Sequence, residues 1–218
     1  MGPAAHERLE AGLAELGIGP DSSDALPRLA AYLDLLLEWN TRMNLVGPVD
    51  EVEAVPRHLL DSLVGLSEVR ENLPAGGSCA DVGFGAGLPG IPIALAGAIA
   101  PMVLVERSAK KCTFLRHTVE TLEMRGVSVV VRDLRELGDR FDVLLVRAVS
   151  NLTAPFCELL DAHLRPGGAV ILYKGRREVI DRELAAVPMD RFAVNVRGVS
   201  VPFLDAERHL VTLKRVRR

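Results

Sequence analysis

The sequence predicts an α/β fold: a mostly parallel, Rossmann-like seven-stranded sheet with an antiparallel edge, preceded by a small helical N-terminal extension. Three observations lead there. From residue 79 onward, short apolar runs alternate with amphipathic segments, the pattern of parallel strands joined by helices. The first run empties into DVGFGAGLPG (81–90), a glycine-rich turn at the point where such sheets bind ligands. The last two strand-like runs have little helix between them, which suggests an antiparallel edge.

Taken in order, HERLEAGLAELG near the start is a short amphipathic helix ended by Gly17 and Gly19. Asp24 is placed to cap the next helix, and Pro27 suits its first turn. PRLAAYLDLLLEWN then carries Leu29, Leu33, Leu36 and Leu37 at helical spacing. NLVGPVD reads as a turn, HLLDSLVGL as a shorter helix, and LPAGGS (73–78) as a linker, so the expected division is 1–72 and 73–218. Beyond it come strand CADVG, helix LPGIPIALAGAIA, strand MVLVE, helix SAKKCTFLRHTVETLEM and strands VSVVVRD and FDVLLVRAV. The chain continues with helix FCELLDAHL closed by RPGG, strand AVILYKG, helix EVIDRELAAV, and the final strands FAVNVRGVSV and RHLVTLKRV.

Bulk properties exclude several functions. The chain has 218 residues, enough for one ordinary core with a small appendage. Aromatics make up 4%, too few for a base-stacking platform of the kind single-strand binders use. Three scattered cysteines, Cys79, Cys112 and Cys157, form no CxxC, so neither a disulfide framework nor a metal site is expected. The longest apolar run, 91–105, is short for a membrane span and holds Pro92 and Pro101. No leader-like start is visible, and a cytoplasmic protein is expected. The net charge of -3 does not by itself point to nucleic acid, although local distribution matters more than the total.

GAGLPG (85–90) formally matches the dinucleotide fingerprint GxGxxG. A pyrophosphate, however, needs amide donors and would be repelled by a carboxylate at the strand tip, where Asp81 stands. A cationic ligand suits Asp81 better, and S-adenosylmethionine carries a sulfonium and an ammonium. Residues 81–87 fit the DxGxGxG loop of class I methyltransferases, with Gly83, Gly85 and Gly87 as its glycines. The alternative role for Asp81 is a helix cap. Glu106, ending the next strand, is placed to accept ribose hydroxyls.

Beyond these features, the chain resembles the bacterial 16S rRNA small-subunit methyltransferase G family, also called glucose-inhibited division protein B. The resemblance rests on WNTRMNLV, RHLLDSL, DVGFGAGLPGIPIA, VERSAKKCTFL, VRAVSNL, YKG and ERHLV, from about residue 28 onward. It implies a class I S-adenosylmethionine-dependent fold. It also implies methylation of guanine nitrogen-7 at nucleotide 527, in the 530 loop of 16S rRNA. Carried across, the family's cofactor positions are Gly83, Leu88, the Leu134–Arg135 pair and Arg147. Two departures stand out: Phe84, where a small hydroxyl residue is usual, and RDLRE, in which Asp133 and Arg135 exchange the usual charges.

Guanine nitrogen-7 has a free lone pair and no proton, so no general base is expected. Arg147 is the candidate for orienting the target guanine or its phosphate; the alternative is a strand-end arginine paired with a carboxylate. Lys174, Arg208 and His209 are candidate RNA contacts. With Arg176, Arg177, Lys214, Arg215, Arg217 and Arg218, the lysine and arginines would form a basic face. His58 and Asp61 are placed to pair across the domain junction, and Tyr32 and Trp39 to lie in the core. The expected partner is 16S rRNA within the 30S subunit or an assembly intermediate, met by a monomer without metal.

Overall fold

The computed structural model describes residues 1–19, 24–83, 85–149 and 151–216. Seven strands form one sheet in the order β3-β2-β1-β4-β5-β7-β6. They are β1 (Cys79–Val82), β2 (Met102–Glu106), β3 (Val127–Val131), β4 (Phe141–Arg147), β5 (Leu164–Lys174), β6 (Phe192–Val199) and β7 (Arg208–Arg215). Strands β1 to β5 are parallel to one another, and β7 runs antiparallel to both β5 and β6. The chain order reverses between β1 and β4, so a crevice opens there beyond the strands' carboxyl ends.

Side-chain alternation divides the core into two. Cys79, Leu104, Val143, Leu145 and Ile171 pack on one face, with α6 (Gly90–Gly97) and α7 (Ala109–Thr121). The N-terminal helices α1 (Pro3–Glu15) and α2 (Ala25–Met43) contribute Leu9, Leu29 and Leu33 to the same cluster. Ala80, Val105, Leu144, Val170 and Leu213 form the other face, against α8 (Ala154–Ala162) and α9 (Arg177–Leu184). This is the period-two alternation of a sheet buried on both sides. Residues 1–72 therefore share a continuous core with the sheet.

Several elements differ from expectation. The HLLDSLVGL helix starts earlier, where Asp50 accepts a bond from the Glu53 amide and begins α3 (Glu51–Ala54). The helix then widens into a π-helix over Val55–Leu60 before α4 (Asp61–Leu63), and α5 (Leu66–Asn72) follows. Asp24 sits at the N-cap position of α2, but its carboxylate makes no capping bond there. The helix after the glycine turn begins only at Gly90 and stops at Gly97. RPGG does not close α8. It lies inside β5, where the pairing slips between Phe141–Leu164 and Val143–Ala169.

Candidate cofactor pocket and substrate edge

The glycine turn leaves β1 at Val82 and enters α6 at Gly90. Gly83, Gly85 and Gly87 all have positive φ (86°, 77° and 74°), which disfavours any residue with a Cβ. Their surroundings separate their roles. A Cβ on Gly83 would meet nothing within 4 Å. On Gly85 it would strike the Lys111 side chain, and on Gly87 it would strike Ile91. Gly83 is thus the glycine with open space above it, whereas the other two permit close packing. Leu88 is buried. Phe84, the first departure from the family pattern, lies outside the described residues.

Asp81 is buried beneath this turn, and its Oδ2 accepts a bond from the Gly90 amide at 2.9 Å. It therefore caps α6 from nine residues upstream, the alternative weighed for it above. Its Oδ1 has no hydrogen-bond partner among the described residues. Burial raises its pKa from 3.8 to about 7; the Gly90 amide and the Arg147 charge oppose that rise, and Glu106 adds to it. A buried carboxyl with one open oxygen is suited to a neighbouring cation. Ahead of it, Tyr32 is fully buried and donates to the Ala86 carbonyl at 2.7 Å, tying α2 to the turn.

A cavity of about 530 Å³ opens over Val82 and Gly83, a size typical of small-molecule sites. Glu106 lines it from the end of β2, oriented by the Ser108 amide, which donates to Oε1 at 2.7 Å. Leu134 forms part of the wall, and Val149, Pro155, Phe156 and Leu159 supply an apolar side opposite. Asp133 and Arg135 also line the cavity. The exchanged charges are spent on each other, since the Arg135 guanidinium donates to both Asp133 oxygens at 2.9 Å. That hydrogen bonding, with the Arg135 amide, holds the Asp133 carboxyl well below the usual carboxylate range.

The fit to S-adenosylmethionine rests on an acid at the end of β2, an open glycine and an apolar slot. Asp81, expected to contact the cofactor, lies buried beneath the turn and does not line the cavity, because its carboxylate is turned to the Gly90 amide. Lys111 and Phe156 line the cavity too. Neither was singled out from sequence, although Lys111 lies within the VERSAKKCTFL motif.

A second cavity of about 180 Å³ lies at the same edge, lined by Asp61, Arg147, Ala148, Tyr173, Lys174, Gly175 and Arg208. Arg147 does not line the larger cavity. Its Nη2 donates to Asp61 Oδ2 at 2.6 Å and to the Arg57 carbonyl at 2.8 Å, and its Nη1 to Ser62 Oγ at 3.2 Å. The pairing alternative is thus realised, and the partner is Asp61 from the helical segment. The other Asp61 oxygen accepts from Arg208 Nε at 2.9 Å. Asp61 therefore pairs with two arginines and makes no bond to His58. His58 is held neutral, its pKa lowered to about 4 by burial and by the Arg147 charge.

Two further expectations need correction. Lys174 is not presented to RNA: it is 8% exposed, pairs with Glu183 at 2.6 Å and donates to the Val149 carbonyl at 3.0 Å. The basic face is also divided. Because β7 is antiparallel, Arg208 stands at the cavity edge, opposite Val199 of β6. Lys214 and Arg215 lie at its far end, roughly 20 Å away along an extended strand. Arg215 is committed there to Asp161 at 2.8 Å. Arg217 and Arg218 lie outside the described residues. His209 Nδ1 is hydrogen-bonded to the Gly175 carbonyl at 2.7 Å, so this nitrogen serves the backbone. Trp39 packs beside Phe114 and His117.

No helix among the described residues is long and apolar enough to cross a membrane, and they contain no cluster suited to a metal. The fold is that of known methyltransferases. It matches a precorrin-6y C5,15-methyltransferase of Geobacter metallireducens with TM-score 0.56 and 16% identity, over 77% of this chain and 91% of that one. It matches the tRNA methyltransferase TrmI of Aquifex aeolicus with TM-score 0.58 and 13% identity, over 73% and 69%. By sequence it is 40% identical to the ribosomal RNA small subunit methyltransferase G of Stenotrophomonas maltophilia (strain K279a), over 94% of this chain and 92% of the relative. It is 38% identical to the protein of that name from Chromohalobacter salexigens, over 99% and 100%. The family model described as GidB, rRNA small subunit methyltransferase G, matches residues 25–211. With that span and those identities, the chain belongs to the ribosomal RNA small subunit methyltransferase G family.

Proposed function

We propose that this S-adenosylmethionine-dependent rRNA methyltransferase modifies nitrogen-7 of the guanine at nucleotide 527, in the 530 loop of 16S rRNA. The observation that carries the reading is the shared edge. Arg147 and Ala148 line the arginine cavity, and Val149 lines the larger one, so consecutive residues join the two. S-adenosylmethionine supplies a methyl group made electrophilic by its sulfonium. Glu106 would hold the ribose hydroxyls, Gly83 would allow close approach of the backbone, and the wall of Phe156 and Leu134 would enclose the adenine. Asp81, beneath the turn, would add negative potential in its ionised form, which burial disfavours.

The acceptor asks for little acid–base chemistry. Nitrogen-7 presents a lone pair without a proton, so the chain need only align acceptor, methyl carbon and sulfur, and exclude water. Arg147, anchored by three acceptors, orients the target nucleotide from the boundary between the cavities. The substrate is 16S rRNA within the 30S subunit or an assembly intermediate, whose shape supplies most of the recognition.

The test is methyl transfer from labelled S-adenosylmethionine to three acceptors: 30S subunits from a strain lacking this gene, wild-type subunits, and naked 16S rRNA. Mass spectrometry maps the product. The expected label is one 7-methylguanine in the 530 loop, only on the unmodified material. Label on another RNA position, or on protein, contradicts the assignment.

A further inference from the structure

The arginine cavity has features that pinning a helical segment to a sheet does not require. One carboxylate serves two guanidinium groups, with one oxygen for each. Asp61 is buried, while Arg147 keeps 18% and Arg208 31% of its side chain exposed, so the acid is hidden and the bases face outward. Lys174 and its partner Glu183 stand behind them. Among the described residues that line the cavity, Arg147, Lys174 and Arg208 face one carboxylate, that of Asp61.

The backbone here is held in an uncommon shape. The π-helix Val55–Leu60 and the residues after it offer Arg147 a carbonyl from Arg57, the Asp61 carboxylate and the Ser62 hydroxyl. Such widened turns occur often at functional sites. Directly after Arg147, Ala148 adopts φ 59°, a left-handed conformation unusual for a residue with a Cβ. Lys174 fixes the next carbonyl, that of Val149. The segment 147–149 is thus clamped from both sides, beside the cofactor cavity.

We infer that this cavity seats a backbone phosphate of the RNA acceptor, and that Asp61 is the positioning residue that sets Arg147 and Arg208 to receive it. The inference rests on the reading that the acceptor is RNA. Guanidinium forks match phosphate oxygens, and a pair of them pre-set by one acid loses little freedom on binding. Phosphate contacts of this kind fix the register of the nucleic acid, which here means placing the base over the neighbouring pocket. The helical segment is then part of the substrate site, since it supplies the acid that aligns both bases.

The sign of one substitution separates this role from simple charge balance. Removing a carboxylate near a polyanion should tighten RNA binding if Asp61 only neutralises charge. If Asp61 positions the arginines, the same change weakens binding. The experiment measures methyl transfer to unmodified 30S subunits across a potassium chloride series, for wild type, Asp61→Asn and Arg208→Gln. S-adenosylmethionine affinity is measured alongside by calorimetry. For Arg208→Gln the expected result is a KM raised about tenfold and a salt slope shallower by about 1. Asp61→Asn is expected to raise KM as well. Cofactor affinity should stay within about twofold of wild type in both, because neither residue lines the larger cavity.

An unchanged KM and slope in Arg208→Gln, or a lowered KM in Asp61→Asn, overturns the inference. If Asp61→Asn loses its cooperative melting transition, Arg208→Gln alone decides. Wild-type protein that transfers methyl to no RNA overturns the RNA reading and this inference together. Wild-type transfer with an unaltered Arg208→Gln slope overturns only this one.

Discussion

The two cavities at the carboxyl edge of the sheet are built by different means. The described residues that line the larger cavity, proposed for the cofactor, all come from the sheet region and supply a glycine turn, one oriented acid and an apolar wall. Its acid, Glu106, is placed by a near neighbour, the Ser108 amide, and the turn that borders it is braced by the Gly90 amide bond to the buried Asp81. The arginine cavity is made by charges from distant parts of the chain, with Asp61 and Arg208 147 residues apart. The first site is shaped by backbone conformation and burial, and the second by ion pairing across the fold. Substitutions should therefore fail differently in the two places.

The largest effect is expected at Asp81, where burial works against ionisation. Its folded pKa of about 7 lies above the 3.8 of an unburied carboxyl, so the folded state binds this proton more tightly. The resulting stability is fully present below about pH 4 and is lost as pH rises through 7. The difference amounts to roughly 4 kcal/mol between those limits. Urea unfolding of wild type and Asp81→Asn from pH 5 to pH 8 checks this. The stability of the variant relative to wild type should increase with pH. A constant difference would show that Asp81 does not titrate in this range.

Next in size are the glycines of the turn. Gly87→Ala forces a Cβ into Ile91 at positive φ and should cost about 3 kcal/mol in urea unfolding. Gly83→Ala meets open space, so it should cost only the backbone term of about 1–2 kcal/mol and act mainly on cofactor affinity. Equal losses of stability at the two positions would remove the distinction between a packing glycine and a binding one.

The unequal construction also explains what the sequence made legible. The sheet, its antiparallel edge, the glycine turn and Glu106 depend on short-range pattern, and each could be placed from its own neighbourhood. RPGG read as a helix stop because glycine and proline punctuate both helices and irregular strands; here the pairing slip in β5 absorbs them. Lys174 read as a phosphate contact because a lysine at a strand end gives no sign of a Glu183 nine residues later that buries it. The basic face was overestimated for a similar reason. Charge counted along β7 ignores that a strand carries its two ends to opposite edges of the sheet. Asp61 lay within a recognised motif, but its two arginine partners come from β4 and β7, and only the folded chain brings them together.

The most direct test of this division is titration calorimetry of S-adenosylmethionine into Glu106→Ala and Arg208→Gln beside wild type. Glu106 lines the cofactor cavity and Arg208 does not. Glu106→Ala is expected to weaken binding at least about tenfold, through loss of charge-assisted hydrogen bonds to the ribose, with Arg208→Gln unchanged. Equal weakening in both variants, or wild-type affinity in Glu106→Ala, would contradict the account.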